Sequence, residues 1–321
     1  MDLAGNYLYN GSNKYVTEDS RLTNYLDDGS SLITENNGYS TTRTDGHRFG
    51  VRLEHKFSEN TSILFEPRVN FGRGNYVEYS DYDINKDLGD GTEQTLTNKG
   101  TTRNTGDNKN WTTEGFLLFR QKLGKPGRTI SLHTRYSFSG NELDGLNQSL
   151  TQTFGTSPVT DFVNQRIDRT SNSYSVNSRL VYTEPLGKNF YIEANYSYGW
   201  NKNTSLKNAY DSGNKGTLTP SAFGDIKYVY EGETLDDIYS NNITNIGQNH
   251  AAGANLMWQK DKIRAQLGVS ANPTITKNVT NGETFESNVV KWSPQASFSI
   301  SEVHRSLRPR SSCLCRTTPT L

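Results

Sequence analysis

Few residue types in this chain are spaced for chemistry. The run Asp81-Tyr82-Asp83-Ile84-Asn85-Lys86-Asp87-Leu88-Gly89-Asp90-Gly91 sets oxygen ligands at alternate positions, as a calcium loop does. Asp81, Asp83, Asn85 and Asp87 are its candidate ligands. Lys86 stands where such a loop needs glycine and Thr92 where it needs an acid, with Glu93 one place late. These departures favour the plainer reading, a solvated tip rich in turn formers. His47 and His55 would share a strand face but lie too far apart for one metal. His133, His250 and His304 are scattered. Cys313-Leu314-Cys315 is too tight for half a zinc site, and two cysteines make no disulfide framework. There is no nucleophile elbow, Walker loop or dinucleotide fingerprint. The sequence is therefore read as non-enzymatic, with no cofactor. Tyr79, Tyr82 and Tyr210, aromatics of the polar segments, could stack on sugars, but no motif around them supports it.

The signal that does recur is positional. In the stretch from Tyr174 to Trp200, Tyr174, Val176, Leu180 and Tyr182 share one strand face, with Ser178 its weak member. After the turn Glu184-Pro185-Leu186-Gly187-Lys188-Asn189, Phe190, Ile192, Ala194, Tyr196, Tyr198 and Trp200 share another. The alternate positions carry Ser175, Asn177, Arg179, Glu193, Asn195 and Ser197. A strand of this length suits a tilted crossing of a bilayer, for which about 9–11 residues are needed.

The same design repeats along the 321 residues. Met1 to Tyr9, Phe49 to Phe57, Ile63 to Phe71, 111–123, Ile130 to Phe138, Ala252 to Trp258, Ile263 to Val269 and Val290 to Ile300 are predicted strands. Facing is ambiguous near 116–119, where Phe116 and Leu118 alternate with Leu117 and Phe119. Pro67 weakens its strand unless a bulge sits there. The segments 11–42, 75–108, 139–172 and 202–247 are read as long polar loops. Compact turns at Ser58-Glu59-Asn60-Thr61, Gly124-Lys125-Pro126-Gly127 and Gln259-Lys260-Asp261-Lys262 alternate with them. No proposed apolar face holds Asp, Glu, Lys or Arg.

Bulk composition fits this pattern. Lys plus Arg and Asp plus Glu are both 34, so no net field favours nucleic acid. Hydrophobic residues make up only 32% of the chain, too few for an ordinary core, and no apolar run is long enough for a spanning helix. Aromatics at 11% argue against disorder. A polar chain that is still patterned fits a sheet with lipid on one side and water on the other. The expected fold is all-β, an antiparallel up-and-down transmembrane β-barrel of about ten meander strands. Residues 1–301 form it, and 302–321, rich in Arg, Ser and Cys without alternation, are an unstructured or out-of-frame tail. Met1-Asp2-Leu3 opens without the charged start and apolar core of a signal peptide, so both ends look cut. Tyr182, Phe190, Tyr196, Tyr198, Trp200, Trp258 and Trp292 are the expected membrane girdle.

Residues 1 to about 300 resemble the outer-membrane barrel domain of TonB-dependent receptor-like proteins of Bacteroidetes-type bacteria. The resemblance rests on Asn6-Tyr7-Leu8-Tyr9-Asn10, Leu26-Asp27-Asp28-Gly29-Ser30-Ser31, His47-Arg48-Phe49 leading to Val51-Arg52-Leu53-Glu54, and Leu64-Phe65-Glu66-Pro67. It continues in Lys125-Pro126-Gly127-Arg128-Thr129 and Tyr182-Thr183-Glu184-Pro185-Leu186-Gly187-Lys188-Asn189. It implies a fragment of a barrel of about 22 strands, acting as pore wall and ligand-loop scaffold without catalysis. Its partners would be the lipid bilayer of the outer membrane, a plug domain, TonB and a surface lipoprotein. The alternative is a soluble or cell-surface all-β binding module of adhesin type. An enzyme on a β scaffold ranks third.

Overall fold

The computed structural model describes residues 1–214, 226–260 and 263–300. Residues 261–262, part of one predicted turn, and the tail 302–321 with Cys313 and Cys315 lie outside them. The described residues form one antiparallel sheet of β1 (Asp2–Tyr25), β2 (Ser31–Lys56), β3 (Thr61–Asp87), β4 (Thr95–Lys122), β5 (Thr129–Thr153), β6 (Val159–Pro185), β7 (Phe190–Asp211), the two-residue β8 (Thr234–Leu235), β9 (Asn241–Lys260), β10 (Ile263–Thr280) and β11 (Glu283–Ile300). Strands neighbour in chain order, β8 sits beside the end of β7, and β1 and β11 do not pair with each other. The meander is the expected one, but the sheet is open.

The long loops are corrected. Most of 11–42, 75–108 and 139–172 is strand, and those connections shrink to the short tips 26–30, 88–94 and 154–158; of 202–247, residues 202–211, 234–235 and 241–247 are strand, and 215–225 lie outside the described residues. The reason is physical. Away from the apolar stretch both faces are wet, so hydrophobic alternation vanishes while the backbone ladder goes on. Strand-favouring Thr and Tyr remain there, as in Tyr39 to Thr44 and Thr101 to Thr105. The connection between β10 and β11 is the two-residue turn Asn281-Gly282, with φ of 49° and 90°. Asn-Gly is the preferred pair where both turn residues need positive φ.

Register puts every predicted apolar set on one face. Directly paired residues share a face, and Tyr7, Phe49 and Val69 are paired in turn, as are Phe65 and Leu117, Leu132 and Leu180, Ile192 and Leu256, Leu256 and Leu267, and Ala265 and Phe298. We call this the band face. Leu117 and Phe119 lie on it, and Phe116 and Leu118 on the opposite one. Pro67 pairs with Gly115 without a shift, and on the other side the ladder breaks between Gly50–Arg68 and Leu53–Phe65, so the proline weakens the pairing with β2 and no bulge compensates at that pair.

Pairing also fixes the tilt. One row of paired residues runs Leu53, Phe65, Leu117, Thr134, Ser178, Tyr198, His250. Leu53 lies 3 residues before the end of β2 at Lys56, Leu117 lies 5 before Lys122, Ser178 lies 7 before Pro185, and His250 lies 10 before Lys260. The row thus climbs about 23 Å while crossing six inter-strand gaps, about 29 Å in all. With the short turns level, the strands tilt by about 39°, inside the range of barrel walls.

Among the described residues there is no second layer and almost no dry interior. Ile33, Ala209 and Ile226 are the only buried hydrophobic residues described. Phe190 is 47% exposed and Tyr196 45%, so the stripe from Phe190 to Trp200 does not line a closed core. A soluble sandwich would bury it.

Candidate functional site

The two faces of the sheet are the functional surfaces, and each changes character with height above the short turns. On the band face apolar side chains stand just above those turns, among them Leu53, Ile63 and Phe65, Leu117 and Phe119, Ile130 and Leu132, Leu180 and Tyr182, Phe190 and Ile192, Leu256 and Trp258, Phe298 and Ile300, while Thr61, Gln121, Glu184 and Lys260 lie nearer the turns still.

The stretch ends at a ring on seven consecutive strands. His47, Phe71, Trp111, Phe138, Tyr174, Trp200 and His250 each lie 9 to 11 residues from the short-turn end of their strands. They do not form one hydrogen-bonded row. Trp111 pairs with Gly140 rather than Phe138, and Tyr174 with Lys202 rather than Trp200. The rings follow the tilted level of the short turns instead. At this tilt, ten residues rise about 26 Å, close to the apolar height of an outer-membrane wall. The rings also contact each other: His47 stacks on Phe71 with centroids 5.2 Å apart, and the Tyr7 hydroxyl lies 2.8 Å from His47 Nδ1. Just beyond them the same face turns charged, with Asp45, Arg73, Lys109 and Lys202 each two residues past a ring.

The expected girdle residues all lie on the band face. Tyr182 pairs with Ala194, Phe190 with Trp258, Tyr196 with Ala252, Tyr198 with His250, Trp200 with Gln248, and Trp292 with Ala271. Phe190, Trp258 and Tyr182 lie near the short turns, Trp200 at the ring level, and Tyr196, Tyr198 and Trp292 between. Sequence reading sets His47, Phe71 and Phe138 on this face without naming them girdle residues, and leaves Trp111 unfaced because the strand near 111–123 carries no clear phase until the register supplies it.

The opposite face carries charge in its lower part. Arg52 pairs with Glu66 and with Glu54, the latter at 3.1 Å, and Arg179 lies 3.6 Å from Glu193. Higher up it becomes neutral. Asn70, Thr112, Ser139, Ser173, Asn203, Asn245 and Asn278 form one paired row across seven strands without a charge.

Two polar clusters pin the ends. At the short-turn end, Arg128 donates to Glu184 from Nε (2.7 Å) and Nη2 (2.8 Å), Tyr182 donates from its hydroxyl (2.6 Å), and Lys125 lies 3.3 Å away. Hydrogen bonds from Arg128 first and Tyr182 second hold the Glu184 carboxyl at about 2. At the far end Arg166 binds Glu233 at 2.7 Å and sits 4.2 Å over the Tyr210 ring. Tyr228 donates to Glu233 at 2.6 Å. The guanidinium keeps the Glu233 carboxyl below its usual range. This cluster clamps the segment 226–240 onto the ends of β6 and β7.

The calcium-loop reading is corrected in its geometry. Asp81, Asp83, Asn85 and Asp87 lie along β3, extended rather than wrapped round a centre. Asp81 accepts from Thr101 (2.6 Å), Asp83 faces Lys99 (3.7 Å), and Asp87 caps Gly89 (2.9 Å). Among the described residues no group of His, Cys, Asp or Glu could hold a metal ion. His47 and His55 do share the band face, and no metal joins them at that spacing.

Residues 121–303, more than half of the chain, match the outer membrane protein beta-barrel family. The chain belongs to that family. No curated protein matches it. Among solved structures this family member is similar to the outer membrane protease OmpT from Escherichia coli, at 12% identity over 93% of this chain and 96% of that one, with a TM-score of 0.27. It is also similar to the beta domain of the Bordetella autotransporter BrkA, at 10% identity over 93% and 100%, with a TM-score of 0.19. The expectation that the chain is not an enzyme is corrected here, since a protease stands among the structures it resembles. At that TM-score the likeness assigns it no activity. The family locates the chain in the outer membrane.

Proposed function

We propose that the chain is part of the wall of a TonB-dependent receptor or transporter in the outer membrane, a barrel of about 22 strands when whole. The band face meets lipid, the opposite face meets the aqueous interior, and the short turns lie on the periplasmic side. The tips at the far end serve as a scaffold for ligand contacts. A plug domain, TonB and a surface lipoprotein are the partners of the assembly.

The observation that carries this reading is the ring level 9 to 11 residues above the short turns. Aromatic residues gather where a bilayer gives way to water. A level that ignores the hydrogen-bonded rows and follows the tilted turns is what a planar membrane would select. Tyr182, Phe190, Tyr196, Tyr198, Trp200, Trp258 and Trp292 are then girdle and lipid-facing residues. The free edges of β1 and β11 support a larger parent, because hydrocarbon cannot satisfy an open row of backbone groups.

The test is single-cysteine labelling in membranes, in a Cys313→Ser, Cys315→Ser background. Cysteines placed in turn from Phe190 to Trp200 should react with a lipid-phase reagent at even positions and a water-soluble one at odd positions. Equal labelling of both sets would overturn the proposal. Ligand uptake that survives loss of TonB would overturn its transporter part.

A further inference from the structure

Below the neutral row the same face holds a hollow of about 490 Å³. Two neighbouring rows of paired residues bring its walls together. One sets Arg179 between His133 and Ser197, and the other joins Arg135 to Asn249 by way of Asn177 and Gly199. Two arginines and a histidine thus stand on one side, and no Asp or Glu lines the hollow. Arg135 lies 6 residues from the start of β5 at Thr129, and Arg179 lies 6 from the end of β6 at Pro185. At the tilt of the strands that is about 16 Å above the short turns, within the height of the band.

A second observation sets Arg135 apart. Arg52, Arg68 and Arg179 each have a carboxylate, from Glu66, Glu114 and Glu193. Arg135 has no ion pair among the described residues. It also borders a second hollow, where Glu66 and Glu114 are the acids held by Arg52 and Arg68. Behind Arg135 the wall is one sheet thick, and the far side of that sheet is the apolar band. A guanidinium backed by hydrocarbon is screened by water only from the lumen, so its field there exceeds that of an ordinary surface arginine and draws an anion.

We infer that this hollow binds the oxyanion group of a small acidic solute, a phosphate or a carboxylate. The planar fork of a guanidinium offers paired donors that match either group. Arg135 has its donors free of any acid. Arg179 lies 3.6 Å from Glu193 and has five N–H donors, more than that one contact uses. The Ser197 hydroxyl and the Asn249 amide, which make no side-chain hydrogen bond among the described residues, add neutral donors on the other side. The inference rests on reading this face as the wet interior of the barrel.

The full chain, folded in detergent, is titrated calorimetrically with pyrophosphate, citrate and a hexaglutamate peptide. The buffer holds about 0.15 M sodium chloride, in which charges more than about 8 Å away are screened. Pyrophosphate or citrate should bind, and which of them binds tells phosphate from carboxylate. Arg135→Gln should weaken binding about tenfold or more, the loss of a charged hydrogen bond. Arg264→Gln, which removes a cation of the same face 8 residues below Asn272 on β10, should change it less than about twofold. If Arg135→Gln does not fold, Arg135→Lys takes its place, with a loss of about threefold for the missing fork. Binding of neither small anion, unaltered binding by the Arg135 variant, or an equal loss in Arg264→Gln would each overturn the inference. Preference for hexaglutamate would give the hollow to an acidic protein segment and overturn the solute. Water-phase labelling of Ser197→Cys, in the Cys313→Ser, Cys315→Ser background, separates the two readings. A labelled position with no anion binding sinks only the site, and an unlabelled one sinks the wet interior as well.

Discussion

Asn201 lays its side-chain oxygen over Gly247, the residue directly opposite it on β9, in the space where a Cβ would stand. The same arrangement joins Asn6 to Gly50, Asn110 to Gly72, Asn177 to Gly199, Asn195 to Gly253 and Asn255 to Gly268. All six pairs are on the face opposite the band. Each lets a polar side chain lie across the neighbouring strand.

Gly247→Ala should therefore destabilise the protein. An alanine in a strand ordinarily gains about 0.5–1 kcal/mol over glycine. Here the added methyl displaces the Asn201 amide, and the net change should be a loss of about 1 kcal/mol. Urea midpoints of the folded protein measure it. The double variant Asn201→Ala, Gly247→Ala should recover the loss, and a strictly additive pair would refute the contact.

The band should be intolerant of charge on one face only. Leu180→Arg, in mid-band, should cost about 2–4 kcal/mol in a bilayer. Ser197→Arg, beside it in sequence register but on the opposite face, should cost far less, as a surface change does. Unfolding from lipid vesicles compares the two, and equal costs would contradict the assignment of faces.

Acid should loosen the short-turn end. Glu184 has its carboxyl lowered from the usual 4.5 to about 2, so its ion pair with Arg128 is intact above pH 4.5 and is lost as pH falls towards 2. Unfolding midpoints taken between pH 5 and about 2 should fall for the native chain. Glu184→Gln should start lower and lack that part of the slope. Parallel pH profiles would remove Glu184 from the account.

At the far end, Glu233→Gln should free the segment held by Arg166. Limited proteolysis should then cut between Tyr228 and Tyr239 faster, while the strands keep their resistance. Unchanged cutting would mean that the contacts of Gln165 with Asp211 and Asp236 hold the segment without Glu233.

Much of the band was legible before any coordinates, since period-two alternation is set by the pleat and lipid enforces it. Tyr174 to Tyr182 and Phe190 to Trp200 needed nothing more. Leu117 and Phe119 were not separable from Phe116 and Leu118, because four apolar residues in a row carry no phase until a neighbour such as Phe65 supplies it. The upper strands were illegible for the reverse reason. With water on both sides, Thr41 and Thr42 face different ways at no cost, and polarity then looks like loop. Asn281-Gly282 was a readable turn signal that the surrounding polar residues hid. The arginine-lined hollow was out of reach, since Arg135, Arg179 and Asn249 come together only through pairing.

The strands run on well past the ring level, and with the short turns on the periplasmic side, as proposed above, this gives the protein a stiff collar standing clear of the cell surface. Backbone rungs hold it throughout, so a protease or a pulling force finds purchase mainly at the hairpin tips and at the outer margins of β1 and β11. Sequence drift in tips such as 26–30, 88–94 and 154–158 can thus redraw what the collar presents to the outside while the part set in lipid stays as it is.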